Sequence, residues 1–231
     1  MIDPILLFII FFGTLGVTYV ILLRYSLRSA IKVTENMKRL AKEFNFQFIK
    51  ERSIIEEILS FFKKPTLNCF VGLFKSFFLI GFRTNKVIGN LDFFGRTYTI
   101  EIGTKILKIK EFSVPATYIE IKPLKSGEFF DVSNKDIFHN IEKLWIKDIQ
   151  FNVPEFDKRY LIFCENETFM RKVFDNNVIS LFLELHKNVL FHLENGVLYF
   201  EEEGYIQDYD YFKKVILINL LLLQKIENAS M

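Results

Sequence analysis

Uncharged and mostly aliphatic or aromatic residues run unbroken from Pro4 to Leu23, and no later segment stays apolar for so long. A helix rises 1.5 Å per residue, so a run of about 20 reaches across the roughly 30 Å hydrocarbon layer of a bilayer. Pro4 suits a first helical turn, and Gly13 and Gly16 are tolerated in lipid. A signal peptide would need a positive start and a small-residue cleavage site. Here the charge ahead of the run is Asp3, and the run ends in Leu22-Leu23-Arg24-Tyr25. Residues 1–23 are therefore read as an uncleaved transmembrane anchor. Arg24, Arg28, Lys32, Lys38, Arg39 and Lys42 follow it, while no Lys or Arg precedes it. Basic flanks stay cytoplasmic. The expected placement is the cell membrane, single-pass, with the N-terminus outside and the rest in the cytoplasm.

Residues 24–43 read as a basic juxtamembrane helix. Ala30, Val33, Met37, Leu40 and Phe44 recur at helical spacing, while Arg24, Arg28, Lys32, Arg39 and Lys42 fall mainly on the other side. The bland reading is an amphipathic helix packed on its own domain. A second reading makes those five basic residues contacts to anionic headgroups, each contributing about 1 kcal/mol near the surface. A short parallel coiled coil is a third.

Residues 44–231 form the expected cytoplasmic domain, either one unit or two intertwined halves. Alternation of Phe44, Phe46 and Phe48 predicts a strand. A short helix follows from Ser53, and the apolar stretch Leu67–Phe82 is too short to span. A hairpin is expected over Asn85–Gly103, turning near Phe94-Gly95, with strands at Ala116–Lys122 and Lys158–Cys164 and a helix from Asn134. Two short helices break near Asp175-Asn176. A second hairpin has Asn195-Gly196, a favoured turn dipeptide, at its tip. A final helix runs from Asp208, its cap, to Ile226; its centre, "VILINLLLL", is apolar nearly all round. Antiparallel hairpins among helices give an α+β fold class: an N-terminal transmembrane helix, then a mainly antiparallel sheet with packed helices.

Half the residues are hydrophobic, so a core can be buried, and a net charge of +2 argues against nucleic acid as a main partner. Cys69 and Cys164, far apart, make no disulfide framework. The segments "GFRTNKVIGNLDFFGRTYTIEIG", with Gly89 and Gly95 around a hairpin, and "FDKRYLIFCENETFMRKVFDNNVISLFLELHKNVLFHLENGVLYF" resemble a prokaryotic family of membrane-tethered domains of unknown function. The likeness spans about half the chain. It implies architecture and membrane attachment, and no catalytic residues.

Chemistry-bearing motifs are scarce. His139, His186 and His192 have no metal-ligand spacing, and no metal or cofactor is expected. Cys164 sits in an apolar strand, where an inert thiol is the default. Asp92 opens "DFFG", but no other kinase element accompanies it. Glu201–Glu203 with Asp208 and Asp210 reads as a solvated strand end rather than a cation site. The leading expectation is a non-enzymatic membrane-anchored protein whose cytoplasmic domain serves protein interaction or scaffolding. Its expected partners are the lipid bilayer and another protein or a second copy. A membrane-tethered enzyme with a scattered active site, or an anionic-lipid-binding module, is the alternative.

Overall fold

The computed structural model describes residues 4–50, 85–93, 95–109, 112–134, 148–186 and 188–230, with backbone alone at Lys50, 106–109, 112–114 and most positions before Arg28. The helix expected from Ser53, the stretch Leu67–Phe82, nearly all of the helix expected from Asn134, Cys69 and His139 lie outside those residues.

Helix α1 is continuous from Pro4 to Glu43, about 60 Å at its standard rise. A turn through Asn45, at φ 54°, leads into β1 (Gln47–Lys50). Then come β2 (Asn85–Phe93), β3 (Arg96–Ile109), β4 (Phe112–Lys122) and β5 (Phe130–Asn134). After them follow α2 (Pro154–Arg159), β6 (Tyr160–Cys164), α3 (Glu167–Val173), α4 (Asn176–Leu183), β7 (Val189–Glu194), β8 (Val197–Glu203) and α5 (Tyr209–Ala229). The strands form one sheet in the order β1-β2-β3-β4-β8-β7-β5-β6, every neighbouring pair antiparallel. The α+β class with a mainly antiparallel sheet is thus the observed one.

Strand alternation sends one set of residues to a common face. By register that set runs through Val87, Ile102, Ile119, Phe200, Phe191, Val132 and Ile162, all buried. The described helices cover this face. Met37 and Leu40 of α1, Phe182 of α4 and Phe212, Val215 and Leu222 of α5 join the same core. Phe182 sits 4.5 Å from Phe191, ring centre to ring centre, and Phe130 meets Phe174 at 6.2 Å. At the α1–β1 turn the Phe46 ring lies on Gly89, where a Cβ would approach it to 1.8 Å. The opposite face is polar around its centre: Tyr118 donates to Glu101 at 2.6 Å, Tyr199 donates to Glu201 at 2.9 Å, and the two rings stack.

Local chemistry explains most boundaries. Asn166, Asp175 and Asp208 cap α3, α4 and α5 by accepting backbone N–H groups of the first turn. Asn195 and Gly196 both have positive φ, as a two-residue hairpin turn requires. Some boundaries differ from expectation: β3 runs past Gly103 to Ile109, β4 starts at Phe112 rather than Ala116, and Lys158 and Arg159 end a helix, so that the strand begins at Tyr160. Pro154 opens that helix, and the Asp157 carboxylate gathers the N–H groups of Phe151 and Val153, which folds the chain into a turn ahead of the strand. Strand β5 was not anticipated; its partners β6 and β7 lie far along the chain.

Candidate membrane-proximal site

The two halves of α1 live in different surroundings. From Ser29 onward, Ser29, Ala30, Val33, Met37, Leu40 and Ala41 are buried. Before Ser29 every described side chain is exposed, and these include large apolar groups: Val17 at 62 %, Ile21 at 61 % and Tyr25 at 68 %. The helix therefore leaves the domain near Arg28 without a break in its backbone. Its exit is fixed by polar contacts. Gln207 donates to the Ser29 hydroxyl at 3.0 Å, Asn36 to the Gln207 carbonyl at 3.0 Å, and Asn85 to the Thr34 hydroxyl at 3.0 Å.

All five candidate surface contacts are exposed and lie opposite the buried stripe. They are not equivalent. Arg24 and Arg28 sit at or beyond the exit, and Lys32 lies one turn inside it. Arg39 is engaged with the domain: its guanidinium lies 3.9 Å from the centre of the Tyr209 ring. Lys42 is next to Glu43, which accepts from Tyr209 and from Lys213. Those two hydrogen bonds hold the Glu43 carboxyl below the usual range, while burial and Glu43 push the Tyr209 hydroxyl up to about 12. Arg39 and Lys42 thus belong to the lower end of α1, where it is tied to the start of α5.

Strongly perturbed groups lie elsewhere. Glu202, read from sequence as part of a solvated strand end, is 5 % exposed. It accepts from the Tyr211 hydroxyl at 2.8 Å and contacts His186 Nδ1 at 3.0 Å, and His186 stacks on Tyr211 with ring centres 3.6 Å apart. Burial pushes its carboxyl up despite those hydrogen bonds, and burial with the Glu202 charge pushes the Tyr211 hydroxyl up. Alternation explains the inward position: Leu198, Phe200 and Glu202 share one side of β8, and Glu201 and Glu203 take the other. Glu201 is likewise occupied, by Lys105 and Tyr199. Arg159 donates to the carbonyls of Leu183 and His186, at 2.9 and 2.6 Å, closing the end of α4.

A cleft of about 390 Å³ is lined by Lys125, Ser126, Glu128, Asn166, Thr168 and Lys172, among others, and none of the strongly shifted groups lines it. Cys164 is a buried free thiol, raised by burial, that donates weakly to the Asn166 carbonyl. His192 lies between Asp131 and Glu194 on the polar face. Among the described residues no group of three or more His, Cys, Asp or Glu is placed to hold a metal ion.

Among the described residues, too, no helix is long and apolar enough to cross a membrane; most side chains between Pro4 and Leu23 lie outside that set. No protein-family model and no curated protein matches the chain. The crystal structure of the mycobacterial trehalose monomycolate transport factor A, TtfA, is similar over 84 % of this chain and 94 % of its own, at 12 % identity and a TM-score of 0.49. No property of that protein is assigned to this chain.

Proposed function

We propose that this chain is a single-pass membrane-anchored protein whose cytoplasmic α+β domain is an interaction module held at the bilayer surface. The observation that carries the reading is α1 itself: one uninterrupted helix whose sequence is apolar ahead of Arg24, whose described side chains there are exposed, and which is built into the core from Ser29. In water an exposed apolar run of about 20 residues is a standing cost, whereas lipid solvates it and the helix satisfies its own backbone. Because the span continues into the domain as a packed helix, the anchor is a rigid mount rather than a flexible tether. Confinement of this kind raises the effective concentration of the domain toward membrane partners without any new contact.

The basic residues follow from the same geometry. Measured from Leu23 along the helix, Arg24 and Arg28 lie within about 8 Å, one Debye length, and Lys32 at about 14 Å, within two. Arg39 and Lys42 lie more than about 20 Å away, so the headgroup contact is assigned to the first three. Their position also sets the orientation, N-terminus outside and domain inside.

Flotation on a density gradient tests this reading. The full chain should rise with bilayer vesicles, and the same chain lacking residues 1–28 should stay behind, since Ser29 onward retains every described core residue of α1. Release of the full chain, or equal flotation of the shortened one, would contradict it. A reporter fused after Met231 should be active only on the cytoplasmic side.

A further inference from the structure

The cleft at the end of α5 is walled by three elements. The loop from β4 to β5 supplies Lys125 and Ser126, α3 with its cap supplies Asn166, Thr168 and Lys172, and α5 supplies Ser230 just past its last turn. Backbone and carboxylate bonds fix the loop on every side. The Leu124 N–H donates to the Gly196 carbonyl at 2.7 Å, which ties the loop to the β7–β8 turn. The Lys125 N–H donates to the buried Glu227 carboxylate at 3.1 Å, which ties it to α5. The Glu128 N–H donates to the Ser126 hydroxyl oxygen at 3.2 Å, and the Asn166 amide donates to the Glu128 carboxylate at 2.7 Å, which closes the loop on α3. The walls are thus set in advance, which spares a ligand the cost of ordering them.

The lining offers donors and a positive balance. Ser126 is 4 % exposed; its oxygen accepts from Glu128, and among the described residues no acceptor takes its own proton. A buried hydroxyl with an unspent proton calls for an acceptor in the cleft. Lys125 and Lys172 are exposed, and among the described residues neither is in an ion pair. Against these two ammonium groups stands one carboxylate, Glu128, already bonded to Asn166, so the lining carries one net positive charge. Ammonium groups with hydroxyl donors are a phosphate-binding set. The volume of about 390 Å³ lies in the range of small-molecule sites and is more than one oxyanion fills. Ser230 spends its proton on the Ile226 carbonyl at 2.8 Å, which leaves its oxygen to accept from a ligand hydroxyl.

We propose that this cleft binds a small, hydroxylated organic phosphate monoester, its phosphate held by Lys125, Lys172 and the Ser126 hydroxyl and its hydroxylated carbon chain against Ser230. The ligand comes from solution rather than from the bilayer. The chain entering α5 is bonded to α1 at Gln207 and Tyr209, and the 21 residues of α5 then rise about 30 Å before the cleft is reached. The site's chemistry is independent of how α1 is anchored.

The test is a titration of the full chain, in mild neutral detergent, with glycerol 3-phosphate, followed by the amide resonances of Ser126, Gly127 and Thr168. These should shift saturably, and glycerol at the same concentrations should not move them. Lys125→Gln and Lys172→Gln should each raise the apparent Kd about tenfold, the worth of one charge-assisted contact. Ser126→Ala should raise it severalfold, while Lys158→Gln, which removes an exposed charge outside the lining, should leave it unchanged. No saturable shift, or equal weakening by Lys158→Gln and Lys172→Gln, overturns the site. Inorganic phosphate binding as tightly as glycerol 3-phosphate overturns the organic ligand. Tighter binding of dihexanoyl phosphatidate than of glycerol 3-phosphate overturns the soluble source in favour of a lipid headgroup.

Discussion

Glu202 illustrates what one buried carboxylate does to this domain. It is nearly inaccessible, and burial raises its pKa despite the hydrogen bonds from Tyr211 and His186. A folded-state pKa above the unfolded one means that the folded chain holds a proton the unfolded chain has released. The stability this contributes is full below the ordinary carboxylate range and is lost as pH rises through the raised value. Urea unfolding of the full chain in mild detergent should therefore find that Glu202→Gln gains on the parent as pH rises across that window; a constant difference would refute the assignment. Asp175 has the opposite sign. Burial works against its charge, yet the Lys225 ammonium at 2.5 Å and the N–H groups of Val178 and Asn177 hold its pKa down. Asp175→Ala should cost about 1 kcal/mol through the lost cap, and less as pH falls through the depressed value. The break at Asp175-Asn176 was read from sequence, but the capping role of Asp175 was not, although Asp-Asn-Asn precedes an apolar run. Glu202 was legible too, had the alternation of Leu198 and Phe200 been extended into the acidic run. Its partners were not, since His186 and Tyr211 come from separate elements.

At the level of elements, sequence was most informative where one local rule dominated. Asn195-Gly196 fixed a hairpin, Asp208 fixed the start of α5, and the stripe Ala30, Val33, Met37, Leu40 fixed the buried side of α1. It failed where pairing is distant or an element is a single turn. The five residues of β5 gain their place from β6 and β7, and α2 depends on Asp157 binding backbone ahead of it. The length of β3 and β4 was also missed, because a run such as Ile106–Ile109 shows alternation too brief to separate a strand from a loop. The division of α1 makes a sharp prediction. Leu40→Ala, which empties a fully buried site, should destabilise the domain by about 2–5 kcal/mol. Ile21→Ala, on the exposed half, should leave its unfolding unchanged within about 0.5 kcal/mol. Equal effects in thermal or urea unfolding would mean that both halves pack on the same core.

For the whole molecule, the consequence of one continuous helix is mechanical. On the function proposed above, the helix that anchors the domain is also its first core helix, so the domain does not swing freely and its sheet keeps a fixed relation to the membrane plane. An accessibility scan along α1 tests this most directly. Single spin labels would be placed at successive positions from Thr14 to Glu35 in the full chain, reconstituted in bilayers, and collision rates with oxygen and with a water-soluble relaxant compared. Oxygen should dominate uniformly up to Leu23, water-soluble relaxant should take over across Arg24–Arg28, and from Ser29 both should fall and rise with a helical period. Access of the water-soluble relaxant at every position before Leu23 would contradict the account.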